Sequence, residues 1–176
     1  GIYEVVKPVQ VINSVYYGVP QTRRRMMLVA HKKSNKEFEY PKATHYYDQE
    51  DEESKRLKPC NTVEDAIGDL PDITDNWRIS EMTEGLTEYQ QLMQSFGNGK
   101  TIKNNICRMS NDRAKRVFPH MAQGSIYMDL PPEIRQILPF REDIFKDRLK
   151  RLVMKEPSWT VIAHIGMDGY MYIHPT

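Results

Sequence analysis

Apolar positions along this chain fall in short clusters divided by long polar stretches, and the spacing within each cluster predicts its element. Tyr3 to Val6 and Val9 to Ile12 are β-branched and aromatic, with Pro8 between them, which predicts two short strands or one bulged edge strand. Met26 to Ala30 is an unbroken apolar run and predicts a buried strand. Residues 31–58 are polar, contain Pro41 and the pair Tyr46–Tyr47, and read as a surface excursion in which His45 is a lone exposed histidine. Thr62 with Asp65 forms a capping box that opens a helix from Val63 to Asp69, stopped by Pro71.

Further along, Tyr89, Leu92, Met93 and Phe96 recur at intervals of three and four, predicting a helix over Thr87 to Phe96. Asp112 to Val117 predicts a short basic helix, and Pro132 to Leu138 and Arg141 to Leu152 form a second amphipathic, basic stretch. Pro157 to Ile165 and Tyr170 to His174 are apolar-rich runs joined through Asp168-Gly169, a strong hairpin signal. A polar link follows Asp72. It divides the chain into two parts, 1–72 and 73–176.

Candidate chemistry concentrates where a turn feeds the third cluster. Tyr16-Tyr17-Gly18-Val19-Pro20 supplies a flexible glycine and a φ-locked proline, and Gln21-Thr22-Arg23-Arg24-Arg25 follows at once. Alternation along the strand places Arg23 and Arg25 on one face and Arg24 on the other. A guanidinium keeps its proton and carries five fixed donors, which suits phosphate oxygens or a carbonyl lone pair. Taken alone, the three arginines fit a solvated basic turn equally well.

Composition narrows the classes. The chain has 176 residues, 39% of them hydrophobic, against about 45–50% in ordinary globular proteins, so a modest core with long polar loops is expected. A net charge of +1 argues against a generally cationic surface, but the charge is uneven. Asp48, Glu50, Asp51, Glu52 and Glu53 crowd one stretch while Arg and Lys cluster elsewhere, so local basic patches remain open. Cys60 and Cys107 make no disulfide framework and fit a reducing cytosol. No apolar run approaches the roughly 20 residues of a membrane span. An opening on Gly1 rather than Met points to an excised or processed piece.

The run Asn13-Ser14-Val15-Tyr16-Tyr17-Gly18-Val19-Pro20-Gln21-Thr22-Arg23-Arg24-Arg25 resembles the eighth sequence motif of the DNA (cytosine-5) methyltransferases. The resemblance extends downstream. Thr62-Val63 with Asp65-Ala66-Ile67 is similar to a run often found after that motif. Arg108 to Gly124, with Arg108, Arg113, Lys115 and Arg116 leading into Gln123-Gly124-Ser125 and then Asp129-Leu130-Pro131, resembles part of the target-recognition region. Pro157-Ser158 with Thr160-Val161 resembles the stretch of that region where a threonine contacts DNA, and His174-Pro175 resembles the lead-in to the ninth motif.

This resemblance implies an α+β fold: the last strands of a Rossmann-like methyltransferase sheet over 1–72, and a small irregular target-recognition domain over 73–176. It implies that Arg25 meets the carbonyl oxygen of the target cytosine and that Arg23 lies near the DNA backbone. Gln21, Arg108, Arg113, Arg116, Gln123, Gly124, Ser125, Arg148, Arg151 and Thr160 become the candidate DNA contacts. The implied partners are double-stranded DNA and the remainder of the catalytic domain. The implied setting is the cytoplasm of a bacterium, or of a cell infected by a phage. S-adenosylmethionine is the methyl donor of the intact enzymes, and this segment is expected not to bind it.

Two motifs are decoys. Pro59-Cys60 imitates the family's nucleophilic dipeptide but stands downstream of the arginines and is followed by Asn61, so Cys60 is a bystander. Gly99-Lys100-Thr101 imitates the end of a phosphate loop, yet Gln94 stands where the first glycine is needed and a helix precedes it. A stand-alone or split-subunit DNA-recognition module, without chemistry of its own, is the alternative reading.

Overall fold

A computed structural model describes residues 1–34, 36–48, 51–71, 87–97, 102, 105, 110–144, 146–162 and 170–176. The fold is mixed α+β, with small open sheets and short helices. The link after Asp72, residues 98–101 of the glycine-rich run, Cys107 and the Asp168-Gly169 turn lie outside the described residues.

The N-terminal clusters form two antiparallel ribbons. Strands β1 (Tyr3–Val5), β2 (Gln10–Asn13), β3 (Arg24–Met27) and β4 (Ala30–Lys32) pair as β1 with β4 and β2 with β3. Val11 faces Met26, Ile12 faces Arg25 and Asn13 faces Arg24. The expectation of a buried strand over Met26 to Ala30 does not hold: Met26 is 72% and Leu28 66% exposed. The apolar residues are present, but a two-stranded ribbon has no second layer of its own. Among the described residues none covers this face, and Ile2, Tyr3 and Val11 are exposed with it.

The polar excursion then returns to the turn. Strand β5 (His45–Tyr46) runs parallel to β6 (Lys58–Pro59), and Thr44 N donates to Tyr16 O at 2.9 Å. Helix α1 (Val63–Ile67) opens on the expected capping box, with Thr62 N donating to Asp65 Oδ2 at 2.8 Å and Asp65 N to Thr62 Oγ1 at 3.3 Å. Helix α2 (Glu88–Ser95) has an equivalent box from Thr87 and Gln90. Its apolar stripe, however, is not the buried face. Leu92, Met93 and Phe96 are exposed, while Gln90 is buried and donates to Glu64 O at 3.0 Å, joining α2 to α1.

The main core belongs to the C-terminal half. Helix α3 (Asp112–Val117) buries Ala114 and Val117 and exposes Arg113, Lys115 and Arg116. Asn111 caps it by accepting from Ala114 N at 2.8 Å. Ala114 and Val117 pack with Met121, Tyr127, Leu130, Leu138, Leu149 and Ile173, and helix α4 (Pro132–Arg135) lies against this cluster through Ile134. Strand β7 (Lys150–Arg151) pairs in parallel with β8 (Tyr172–Ile173). Leu149 and Tyr170, bonded N to O at 3.2 Å just before the paired residues, both take left-handed backbone angles, φ 54° and φ 73°. Such residues carry strain, which the full burial of Leu149 in the core helps to offset.

Among the described residues no helix is long and apolar enough to cross a membrane, and no group of His, Cys, Asp or Glu is arranged to hold a metal ion.

Candidate functional site

The arginine turn is closed at its neck by the two polar residues that precede it. Ser14 N donates to Arg23 O at 3.1 Å, Ser14 Oγ to Gln21 O at 2.7 Å, and Arg23 N to Asn13 Oδ1 at 2.9 Å. Short Asn and Ser side chains readily replace backbone partners in this way. Val15 is fully buried and pins the base, and Gly18 turns the chain at φ 83°.

A segment 138 residues further along lies against this turn. Ser158 N donates to Pro20 O at 3.0 Å, and Thr22 N donates to Ser158 O at 2.8 Å. Gln21 and Ser158 form a parallel bridge. Thr160 Oγ1 then donates to Thr22 O at 2.7 Å, and Arg23 Nη1 reaches Val161 O at 3.2 Å. The two stretches that carry the motif-like residues at opposite ends of the chain thus form one hydrogen-bonded unit.

The strand places the arginines differently. Arg25, opposite Ile12, is exposed and folds its Nη1 back onto Arg24 O at 2.7 Å. Arg24, opposite Asn13, lies near Tyr16, whose hydroxyl donates to Asp48. Burial first, and then that bond to Asp48, push the Tyr16 hydroxyl up to about 12, while the charge of Arg24 pulls the other way. Arg24 therefore belongs to a Tyr16–Asp48 cluster of its own. It is exposed, so Arg24→Ala is expected to change stability by no more than about 0.5 kcal/mol in a denaturant titration.

His45 is not the exposed residue the sequence suggests. It is half-buried, and its ring lies where a side chain on Gly18 would stand. Asn61 Nδ2 donates to Gly18 O at 2.7 Å, so His45 and Asn61 hold the turn from the side of a cleft of about 680 Å³. Burial, then Lys58, lowers the His45 pKa from its ordinary 6.5. The folded state thus binds the proton less readily than the unfolded chain. This contribution is intact above pH 6.5, is lost as pH falls below that value, and levels off once the pH is below the depressed folded pKa. Unfolding midpoints at pH 7.5 and 5.5 are expected to differ more for the wild type than for His45→Phe.

The remaining candidates separate by burial. Arg113, Lys115 and Arg116 are exposed on one short helix. Arg148 is half-buried with its guanidinium 5.0 Å from the centre of the Phe140 ring. Gly124, at φ 83°, donates its N–H to Arg151 O at 2.9 Å, and Arg151 N donates to Ser125 O at 3.0 Å. Gln123 Oε1 accepts from Met154 N at 2.9 Å. Arg151 is 8% exposed, and its guanidinium donates to Phe118 O at 2.7 Å, His174 O at 3.2 Å and Pro175 O at 3.3 Å. Desolvation lowers its pKa. Its head group is turned to the interior, where it ties β7 to the last residues. Arg108 lies outside the described residues.

Cys60 is half-buried, and desolvation raises its pKa, the opposite of what a thiolate nucleophile needs. Sequence reasoning missed Asn13 and Ser14 as closures, although Asn-Ser before a turn is a local signal. It also missed His45, Asn61 and Ser158, whose partners are distant in the chain.

Residues 1–158 match the C-5 cytosine-specific DNA methylases, and the chain belongs to that family. A type II methyltransferase of Xanthomonas oryzae pv. oryzae is 39% identical over 191 residues, which take in 100% of this chain and 40% of the relative. A type II methyltransferase of Bacillus paralicheniformis is 30% identical over 180 residues, covering 94% of this chain and 38% of its own length. The chain thus spans less than half the length of these relatives.

Proposed function

We propose that this chain is the arginine-turn and DNA-recognition part of a DNA (cytosine-5) methyltransferase. The observation that carries the reading is the seating of Ser158 to Val161 along Gln21 to Arg23, which joins the arginine turn and the recognition segment in one unit. In this reading Arg25 offers its planar fork to the carbonyl oxygen of a cytosine flipped out of the duplex. Arg23 faces the backbone beside it. The exposed Arg113, Lys115 and Arg116, with Arg148, take phosphates, while Gln21 and the Gln123–Ser125 loop lie toward the duplex. Arg151 is left out, because its guanidinium is buried and both of its Nη atoms donate to carbonyls inside the fold.

The exposed apolar face of the first ribbons supports the assignment of residues 1–72 as the edge of a larger Rossmann-like sheet. Val11 and Met26, directly opposite one another and 66% and 72% exposed, need a covering layer that the remainder of the catalytic domain supplies. The same face disfavours a free-standing module.

S-adenosylmethionine supplies the methyl group in such enzymes, and this part of the enzyme is not expected to bind it. In the cleft beside Gly18 Asn61 is bound to Gly18 O, Asp65 to Thr62, Lys58 to Glu88 and His45 to Thr44. These pairings engage polar side chains of that cleft internally, which supports the expectation that this segment does not bind the cofactor. Calorimetric titration of this chain with the cofactor is expected to give no saturable heat.

Duplex binding tests the reading. The isolated chain is expected to bind in the range of about 10⁻⁴–10⁻⁶ M near physiological salt, with affinity falling as salt rises. Replacing Arg113, Lys115 or Arg116 by alanine is expected to reduce the slope of log affinity against log salt by about one for each phosphate no longer neutralised. Affinity indifferent to salt, or a slope unchanged in all three variants, would remove α3 from the interface.

A further inference from the structure

The loop from Val15 to Thr22 is closed at its neck, where Ser14 donates its N–H to Arg23 O at 3.1 Å. Two stretches distant in the chain then hold it at separate points. Ser158 takes the end nearest the arginines, donating to Pro20 O and accepting from Thr22 N. The second hold is at Gly18, where the chain turns through φ 83°. Here Asn61 Nδ2 donates to Gly18 O at 2.7 Å. The His45 ring fills the space that a side chain on Gly18 would need, with Cε1 2.7 Å from where a Cβ would stand.

The ring is itself fixed. His45 stands on β5 opposite Lys58 of β6, and Thr44 N donates to Tyr16 O at 2.9 Å. Thr44 Oγ1 lies 2.8 Å from His45 Nδ1. Burial, then Lys58, favours the neutral ring, so His45 meets the turn as an uncharged plane and acts on it by shape.

We propose that His45, together with Asn61, is a positioning residue for methyl transfer: the pair fixes Gly18 and, through the closed loop, the placement of Arg23 and Arg25. Neither side chain has to meet DNA or cofactor to do this. The proposal rests on the reading that Arg25 meets the target base. It adds that the polar excursion carrying His45 helps to aim that guanidinium, and is not a passive surface loop.

The test uses the full-length methyltransferase and a duplex substrate, under single-turnover conditions at saturating DNA. Misplacement of a catalytic group by about 1 Å costs up to about 10²-fold in rate. His45→Ala empties the space over Gly18 and is expected to lower the rate constant by about tenfold or more. The DNA dissociation constant and its salt slope are expected to stay unchanged, because no phosphate-neutralising cation is lost. His45→Phe restores a ring without the imidazole nitrogens and is expected to recover most of the rate. Asn61→Ala is expected to lower the rate constant in the same direction.

An unchanged rate constant in His45→Ala overturns the proposal. So does a fall in amplitude alone, the mark of lost folded protein, or a fall in DNA affinity, alone or with the rate. A His45→Phe variant as slow as His45→Ala overturns it as well, since the effect would then lie in the imidazole and not in the shape of the ring. If His45→Ala fails to fold, Asn61→Ala decides alone, by the same division between rate and affinity. Arg25→Ala, assayed beside these variants, separates the two levels. Full activity there removes the reading of the arginine turn itself. An inactive Arg25→Ala, with His45→Ala indistinguishable from wild type, removes the positioning role alone.

Discussion

Arg25→Ala in the full-length enzyme is expected to lower the methylation rate by about 10²–10³-fold, equivalent to about 2.7–4 kcal/mol, while leaving the fold intact. The fold should survive because Arg25 is exposed and its described hydrogen bond goes to the neighbouring Arg24 O. That bond, at 2.7 Å, lays the guanidinium against the backbone of its own strand. Arg25→Lys is expected to recover little, because a point ammonium does not reproduce two donors held in a plane. Steady-state rates for Arg23, Arg24 and Arg25 alanine variants provide the check. Arg23→Ala should act mainly on DNA affinity, both by losing a cation and by releasing Val161 O. A profile in which Arg24→Ala is the most damaging would place the working face of β3 on the Met26 side.

The register behind this prediction was legible in the sequence, and its surroundings were not. Alternation separates Arg24 from its neighbours, and β3 pairs Arg24 with Asn13 and Arg25 with Ile12. The capping box at Thr62 and the helices over Glu88–Ser95 and Asp112–Val117 were likewise readable, because each depends on residues close in the chain. Burial was not. Met26 and Leu28 are apolar enough for a core, and so are Leu92 and Phe96, yet all four are exposed. Periodicity reports which face wants a partner, not whether the same chain supplies one. Arg151 shows the converse. In a basic stretch it reads as a phosphate ligand, but three carbonyls from Phe118, His174 and Pro175 converge on it inside the fold. No local pattern announces that convergence. The closure of the arginine turn by Ser158 and Thr160 is equally non-local, since its register depends on how the C-terminal core holds the intervening chain.

Gly18→Ala is expected to be among the most destabilising single changes in the described chain, at roughly 2–4 kcal/mol, the sum of a backbone part and a packing part. Experiment can separate the two. Gly18 sits at φ 83°, where a Cβ costs about 1–2 kcal/mol by clashing with the local backbone. A methyl there would also come within 2.7 Å of His45 Cε1, 3.2 Å of Nδ1 and 3.3 Å of Nε2. Overpacking of this kind costs about 1–3 kcal/mol, less whatever the ring recovers by moving. Gly124 is the natural control. Its φ is also 83°, but an added Cβ meets Val153 Cγ2 at 3.3 Å, so Gly124→Ala should show mainly the backbone part. The double variant Gly18→Ala/His45→Ala removes the colliding ring and keeps the backbone cost. It should therefore be less destabilised than the two single changes predict together, because residues in contact are not additive. Chemical denaturation of the four proteins measures the difference. Strict additivity would mean that His45 does not press on the turn, and the arginines would then depend on Asn61, Ser14 and Ser158 for their placement.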